Sequence, residues 1–257
     1  MDPAIFRLGP FEVRWYGLFF ALGFFLGFQI MAQIYRREGR DIATLSDLLL
    51  YLMIGTIIGA RLGHVLLYQP DYYLARPWEI LMIWRGGLAS HGGFAGVMIA
   101  LYFFLKKHRD MSFIELADRL TVACLLAAAL IRVGNFFNSE IVGIPSALPW
   151  AIVFARVDDI PRHPAMLYEA SAYFLVFCAL YLAYWKTTII RFPGRLFGTA
   201  LAVCFLARLM IEFVKENQVP FEQRLPLNMG QLLSVPFIVA GVYLIIASRA
   251  KPPQHAG

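Results

Sequence analysis

Charged side chains are scarce in this chain of 257 residues, where they make up 16% of the sequence against 60% for hydrophobic residues. A water-soluble domain carries far more charge, so the composition excludes an ordinary soluble protein. Mean hydropathy is +0.63, and several apolar runs approach the roughly 20 residues that a helix needs to cross a bilayer. We therefore expect an all-α polytopic membrane protein.

Cysteine is also rare, and all three cysteines lie inside apolar runs. Cys124, Cys178 and Cys204 have neither metal-site spacing nor an evident pairing, so we expect them to pack as small apolar residues. The sequence shows no internal repeat, no low-complexity segment, no linker and no signal-peptide cleavage pattern. We expect a single domain over residues 1–257, with no metal and no cofactor.

The apolar runs number seven, which predicts about seven transmembrane helices. The second run contains Gly55, Gly59 and Gly63, a four-residue spacing that lets a neighbouring helix approach closely. The runs cover residues 15–35, 45–68, 92–105, 113–134, 167–185, 196–214 and 229–247.

Basic residues concentrate in alternate, short segments between these runs. The positive-inside rule places such segments in the cytoplasm, so we expect the N-terminus outside and the C-terminus in the cytoplasm. Orientation also explains the net charge of +6, and no nucleic-acid partner is expected. The basic residues are Arg36, Arg37, Arg40, Lys106, Lys107, Arg109, Lys186, Arg191, Arg195, Arg249 and Lys251.

With that orientation, the unusual polar residues all fall at the outer end of the helices. A charge there is costly unless it faces a partner or a wet cavity, so each is a candidate for a functional site. Other interpretations exist: Arg132 can extend toward lipid headgroups, and His91 can be hydrogen-bonded at a helix start. The one-sided clustering favours a polar site formed by Tyr16, Arg61, His91, Arg132, Asn135, His163, Tyr168, Arg208 and Glu212.

The residue types in this cluster suit a phosphate group. Arg132 and Arg208, with Arg61 as a possible third, offer planar donor forks for phosphate oxygens. Neutral donors come from Asn135 and Asn138, and carboxylates that orient the arginines come from Glu140 and Glu212. Arg208 and Glu212 are spaced to share a helix face. His91 is suited to accept a proton near neutral pH, so a phospholipid headgroup fits the site better than an ion.

The same residues lie in sequence blocks that resemble the prolipoprotein diacylglyceryl transferases of bacteria, almost from end to end. The blocks are RWYG (14–17), GARLG (59–63), WRGGLASHGG (84–93), RVGNFFNSEIVG (132–143), HPAMLYE (163–169), RLMIEF (208–213) and MGQLLS (229–234). The chain departs from the usual pattern at three places: Ile131, the pair Ala165 and Met166, and Cys204. None of them belongs to the candidate site.

The resemblance implies a reaction. Such enzymes move the diacylglyceryl group of phosphatidylglycerol to the lipobox cysteine of a prolipoprotein signal peptide, forming a thioether and releasing glycerol phosphate. It further implies a multi-pass protein of the bacterial inner membrane, in contact with membrane lipid, whose active site faces outward.

The resemblance also implies roles for individual residues. Arg132 would hold the headgroup, and His91 and Arg208 would be essential to the chemistry. The residues that shape the pocket or support the arginines would be Tyr16, Asn135, Asn138, Glu140, Gly143 and Glu212.

Two other classes of protein fit part of the sequence. A transporter or flippase of an anionic phospholipid would also use phosphate-binding arginines, but such proteins carry repeats and bind near the bilayer midplane. A structural membrane scaffold leaves the charges in the apolar runs unexplained.

Overall fold

The computed structural model describes residues 2–8, 11–83, 87–216 and 227–249. Helices make up most of these ranges. They are α1 (Trp15–Arg37), α2 (Ile42–Leu67), α3 (Pro70–Ala75), α4 (Ser90–Lys107), α5 (Phe113–Asn138), α6 (Ala165–Lys186), α7 (Arg195–Ile211) and α8 (Met229–Ala247). Short 3₁₀ helices cover Pro77–Leu81, Ile189–Arg191 and Glu212–Val214.

Two small antiparallel hairpins complete the secondary structure. Strands β1 (Ala4–Leu8) and β2 (Phe11–Arg14) pair directly before α1. Strands β3 (Ile152–Val153) and β4 (Pro161–Arg162) pair in the segment between α5 and α6.

Six helices in the described ranges are long and apolar enough to cross a membrane. They are α1, α2, α5, α6, α7 with its following 3₁₀ turn, and α8. The prediction of an all-α polytopic membrane protein is therefore confirmed. The third apolar run forms α4, an 18-residue helix that does not belong to this group of six. The count of seven spans and the orientation of the termini stay predictions.

The chain groups into two compact units, one within residues 1–31 and 114–257 and the other within Ala32–Phe113. In the second unit, α2 and α4 pack closely through their glycines. A Cβ on Gly55 would lie 2.6 Å from the carbonyl oxygen of Gly96, and one on Gly63 would lie 2.6 Å from the Cα of Gly92. The predicted close approach at the glycines of α2 is confirmed, and the prediction of one domain stays a prediction.

In the first unit, a buried carboxylate joins α5 to the start of α7. Asp118 is 1% exposed, and its two oxygens accept hydrogen bonds from the backbone N–H groups of Gly194, at 2.6 Å, and Phe197, at 2.8 Å. The first N–H groups of a helix lack partners within the helix, so Asp118 satisfies donors that would otherwise be buried unpaired. Gly194 has a φ of 90°, a conformation that favours glycine.

Candidate active site

The last two turns of α5 carry the arginine and the asparagines of the candidate site. The helix continues to Asn138 instead of ending near residue 134 as predicted, so Asn135 and Asn138 are helical residues. Arg132, Asn135 and Asn138 follow one another at intervals of three residues, so their side chains are neighbours on the helix surface. The Nη1 of Arg132 donates to Oδ1 of Asn135 at 3.3 Å.

The chain then turns back sharply, which directs Glu140 at both asparagines. Ser139 and Ile141 have φ values of 57° and 59°, in the left-handed region that a β-branched residue such as Ile141 rarely adopts. In this turn the carboxylate of Glu140 accepts from Asn135 Nδ2 at 2.8 Å and from Asn138 Nδ2 at 3.2 Å. The strained turn thus fixes the orientation of two amide side chains.

Arg132 is held from the opposite side by Glu169 of α6. Its Nε lies 2.7 Å from Glu169 Oε2, as an ion pair that is not aligned as a hydrogen bond. The Arg132 side chain is 18% exposed and that of Glu169 is fully buried. The Nη2 nitrogen of Arg132 has no hydrogen-bond partner in the described part of the chain, so part of the guanidinium remains available to a ligand.

A second cation, Lys215, completes a buried ionic network. Its Nζ lies 3.1 Å from Glu169 Oε1 and 2.9 Å from Glu212 Oε2, and its side chain is 3% exposed. Arg132, Glu169, Lys215 and Glu212 therefore form a continuous series of alternating charges. Such pairing is required for charges that are removed from water.

The predicted pairing of Glu212 with Arg208 is not found. Glu212 follows the end of α7 at Ile211 and its backbone N–H still donates to the carbonyl oxygen of Arg208, but its carboxylate contacts Lys215 instead of the guanidinium. Arg208 is half-buried and has no ion-pair partner among the described residues. Tyr173 interacts electrostatically with Glu169, Arg132 and Arg208, which associates Arg208 with the same cluster.

Tyr16 and Gly143 also belong to this unit, each with a clear packing role. A Cβ on Gly134 would lie 3.0 Å from Tyr16 Cδ2, so the ring of Tyr16 packs directly on α5 at that glycine. A Cβ on Gly143 would lie 2.5 Å from both the Cβ of His163 and the carbonyl oxygen of Val214. The close packing of these three segments is sufficient reason for a glycine at position 143.

Next to this packing point, Arg162 anchors the segment between α5 and α6. It contacts Asp158 at 2.5–3.1 Å, Gly143 O at 3.1 Å and Glu216 at 3.3 Å. The hydrogen bond from Arg162 holds the pKa of the Asp158 carboxyl below its usual value. Within this unit, the structure thus brings together Tyr16, Arg132, Asn135, Asn138, Glu140, Gly143, Arg208 and Glu212. Two more members of the predicted cluster, His163 and Tyr168, lie in the same unit, with His163 Nδ1 3.1 Å from Tyr168 Oη.

Arg61 and His91 lie in the unit within Ala32–Phe113. His91 is the second residue of α4 and is exposed. Arg61 is 5% exposed and donates to the carbonyl oxygens of Ile80 at 2.8 Å, Gly87 at 3.1 Å and Glu79 at 2.5 Å. Arg61 therefore ties the segment after α2 to the helix, and its use of these donors argues against its predicted role as a third phosphate fork.

Sequence reasoning assigned no role to Glu169 and Lys215. Glu169 is the last residue of the block at 163–169, and Lys215 follows the end of the sixth apolar run. The signal that could have identified Glu169 is an acidic residue near the start of an apolar run, since it requires a partner there. Its pairing with Lys215, 46 positions away, is tertiary and has no sequence signature.

Within the described ranges, no group of three or more His, Cys, Asp or Glu residues is arranged to hold a metal ion.

Comparison with known proteins adds independent evidence. Residues 3–247 match the family described as prolipoprotein diacylglyceryl transferase. The chain is 48% identical to the phosphatidylglycerol–prolipoprotein diacylglyceryl transferase of Chloroherpeton thalassium over 248 residues, which is 96% of this chain and 92% of that protein. It is 49% identical to the protein of the same name from Tolumonas auensis over 247 residues, covering 96% and 95% of the two chains. The corresponding protein of Porphyromonas gingivalis is 43% identical over 266 residues, with 98% and 94% covered. This chain belongs to the prolipoprotein diacylglyceryl transferase family.

Proposed function

We propose that this protein transfers the diacylglyceryl group of phosphatidylglycerol to the cysteine thiol in the lipobox of a prolipoprotein signal peptide. The sulfur forms a bond to the glyceryl carbon, and the bond from that carbon to the phosphate oxygen breaks. The thiol proton passes to a base, and glycerol phosphate leaves with the bonding electrons. The names of the relatives support this choice of substrates.

The observation that carries the proposal is how the guanidinium nitrogens of Arg132 are bound. It is anchored at Nε by buried Glu169, while Nη2 has no hydrogen-bond partner among the described residues. A guanidinium fixed in this way offers preorganised donors to a phosphate whose negative charge grows as the leaving group departs. Asn135 and Asn138, oriented by Glu140, line the same helix end as neutral groups for the glycerol headgroup.

Arg208 and His91 have complementary roles in the proposal. Arg208, which has no ion-pair partner in the described ranges, supplies further positive charge for the departing phosphate. His91 takes the thiol proton, because attack requires the thiolate and the imidazole of His91 is exposed. Tyr16, packed on Gly134, lines the headgroup site beside Arg132 and Glu140.

The location of the reaction forms part of the proposal. We place the protein in the bacterial inner membrane, with the N-terminus outside, the C-terminus in the cytoplasm and the site open to the outer face. The positive-inside distribution of Arg and Lys supports this orientation.

Reconstitution tests the proposal. Purified protein in proteoliposomes containing phosphatidylglycerol is mixed with a lipobox peptide on the outside, and the peptide mass is measured together with the transbilayer distribution of a labelled lipid. A diacylglyceryl gain on cysteine without lipid movement is the expected result. Lipid movement without peptide modification would identify a flippase instead.

A further inference from the structure

The buried lysine of the ionic network has no role in the proposed chemistry so far. The Lys215 side chain is 3% exposed, and its Nζ contacts one oxygen of Glu169 and one of Glu212. Removing an ammonium group from water is expensive, and a lysine at such a position requires these two carboxylates. Its location beside the anchor of Arg132 points to an effect on that arginine.

The two oxygens of Glu169 are divided between two cations. Oε1 lies 3.1 Å from Lys215 Nζ, and Oε2 lies 2.7 Å from Arg132 Nε. A carboxylate beside an arginine commonly binds it through two parallel contacts, which occupy a terminal nitrogen as well. The closest approach of Glu169 to Arg132 is through Oε2 and Nε, while Oε1 is held by Lys215.

The backbone keeps Lys215 in this position. Residues 143 and 215 form an antiparallel bridge, in which Glu216 N donates to Val142 O at 3.3 Å and Ile144 N to Val214 O at 3.0 Å. These bonds hold the backbone of Lys215 against the segment that follows α5. The lysine is therefore fixed relative to the helix that carries Arg132.

We propose that Lys215 is a positioning residue that holds Glu169 Oε1 away from Arg132 and so keeps the Nη2 nitrogen of that arginine free for the donor phosphate. The inference rests on the proposed function, because it assigns Arg132 to the phosphate. Lys215 itself does not touch the substrate. Its loss frees Glu169 Oε1 to compete with phosphate for the guanidinium.

The first arm of the test compares Lys215→Met and Lys215→Arg in the full-length protein. Lys215→Met is expected to raise the KM for phosphatidylglycerol about tenfold or more, with a smaller change in kcat and in the KM for the peptide. Lys215→Arg restores a cation beside Glu169 and should return the KM toward the original value. Lys186→Met is the matched control, since Lys186 is an exposed lysine on the same helix as Glu169.

The second arm tests the same role by equilibrium binding, in a background where Glu169 is neutral. It measures glycerol phosphate affinity calorimetrically for the unmodified protein, Glu169→Gln and Glu169→Gln/Lys215→Met. A neutral amide does not compete with phosphate for Arg132, so loss of Lys215 in the Gln background should change affinity by less than about threefold.

A tenfold loss of affinity in the Gln background, or an unchanged KM for phosphatidylglycerol in a folded Lys215→Met protein, would overturn the role of Lys215. Absence of peptide modification by the unmodified protein would contradict the proposed function instead. The two failures are therefore distinguishable.

Discussion

Arg132 Nε and Glu169 Oε2 lie 2.7 Å apart, and Glu169 is fully buried. This contact joins α5 to α6 and determines how the guanidinium of Arg132 is presented. Because a buried carboxylate needs a cation, each residue constrains the other. The geometry therefore predicts the effect of a substitution that keeps the positive charge but replaces the planar guanidinium.

Arg132→Lys should lose about a hundredfold or more in kcat/KM with phosphatidylglycerol. A lysine can pair with Glu169, but its single nitrogen then has no planar fork left for phosphate. Steady-state kinetics of purified protein measure the effect, with Arg191→Lys, at an exposed position, as the control. Full turnover by Arg132→Lys would reduce the role of Arg132 to general positive potential.

His91→Gln should be nearly inactive if His91 is the general base. Removal of such a group typically costs about 10²–10⁴ in rate. His108→Gln, at the opposite end of α4, serves as the control. A near-normal rate for His91→Gln would mean that the residue is a spacer or hydrogen-bond donor.

The fold and the candidate site were predictable from the sequence to different degrees. Helices were predictable because long apolar runs in a bilayer must satisfy their own backbone groups. Arg132, Asn135 and Asn138 could be placed at one depth because they follow such a run. The depth of a residue in the membrane, however, does not identify the side chains that it contacts.

The ion-pair and hydrogen-bond partners of the site residues depend on tertiary contacts. The spacing of Arg208 and Glu212 predicts a pair, but the carboxylate of Glu212 contacts Lys215, three residues further along the chain. Lys215 reaches Glu169 across 46 positions of sequence, a contact that no local pattern encodes. For the same reason, the sequence predicts that Arg61 binds the substrate, whereas in the structure it donates hydrogen bonds to backbone carbonyls of its own unit.

Asp118→Asn should destabilise the protein without altering the chemistry. The amide keeps one acceptor oxygen and puts an NH₂ group beside backbone donors of α7, which costs about 1–3 kcal/mol. Thermal unfolding in detergent measures the loss. Asp47→Asn is the control, since Asp47 belongs to an exposed ion pair with Lys107, a type that contributes little. Equal shifts for both variants would remove the special role of Asp118.

The contribution of Asp158 to stability should depend on pH. Its pKa is lowered in the folded protein, chiefly by the hydrogen bond from Arg162, so its contribution is present above the ordinary carboxyl value of about 3.9. It is lost as the pH falls through the lower folded value. The difference in Tm between the unmodified protein and Asp158→Asn should therefore shrink on acidification.

Asp159→Asn, at the neighbouring exposed position, provides the reference for this pH series. A difference between the unmodified protein and Asp158→Asn that stays constant from neutral to strongly acidic pH would contradict the ionic role of Asp158.

The most direct test of the central claim is the stoichiometry of the reaction. Phosphatidylglycerol and a lipobox peptide are incubated with the purified protein, the mass of the peptide is followed, and released glycerol phosphate is quantified. We predict one diacylglyceryl group on cysteine for each glycerol phosphate released, with neither product formed from a peptide in which serine replaces that cysteine. Glycerol phosphate release without thioether formation, or an unmodified peptide after prolonged incubation, would contradict the account.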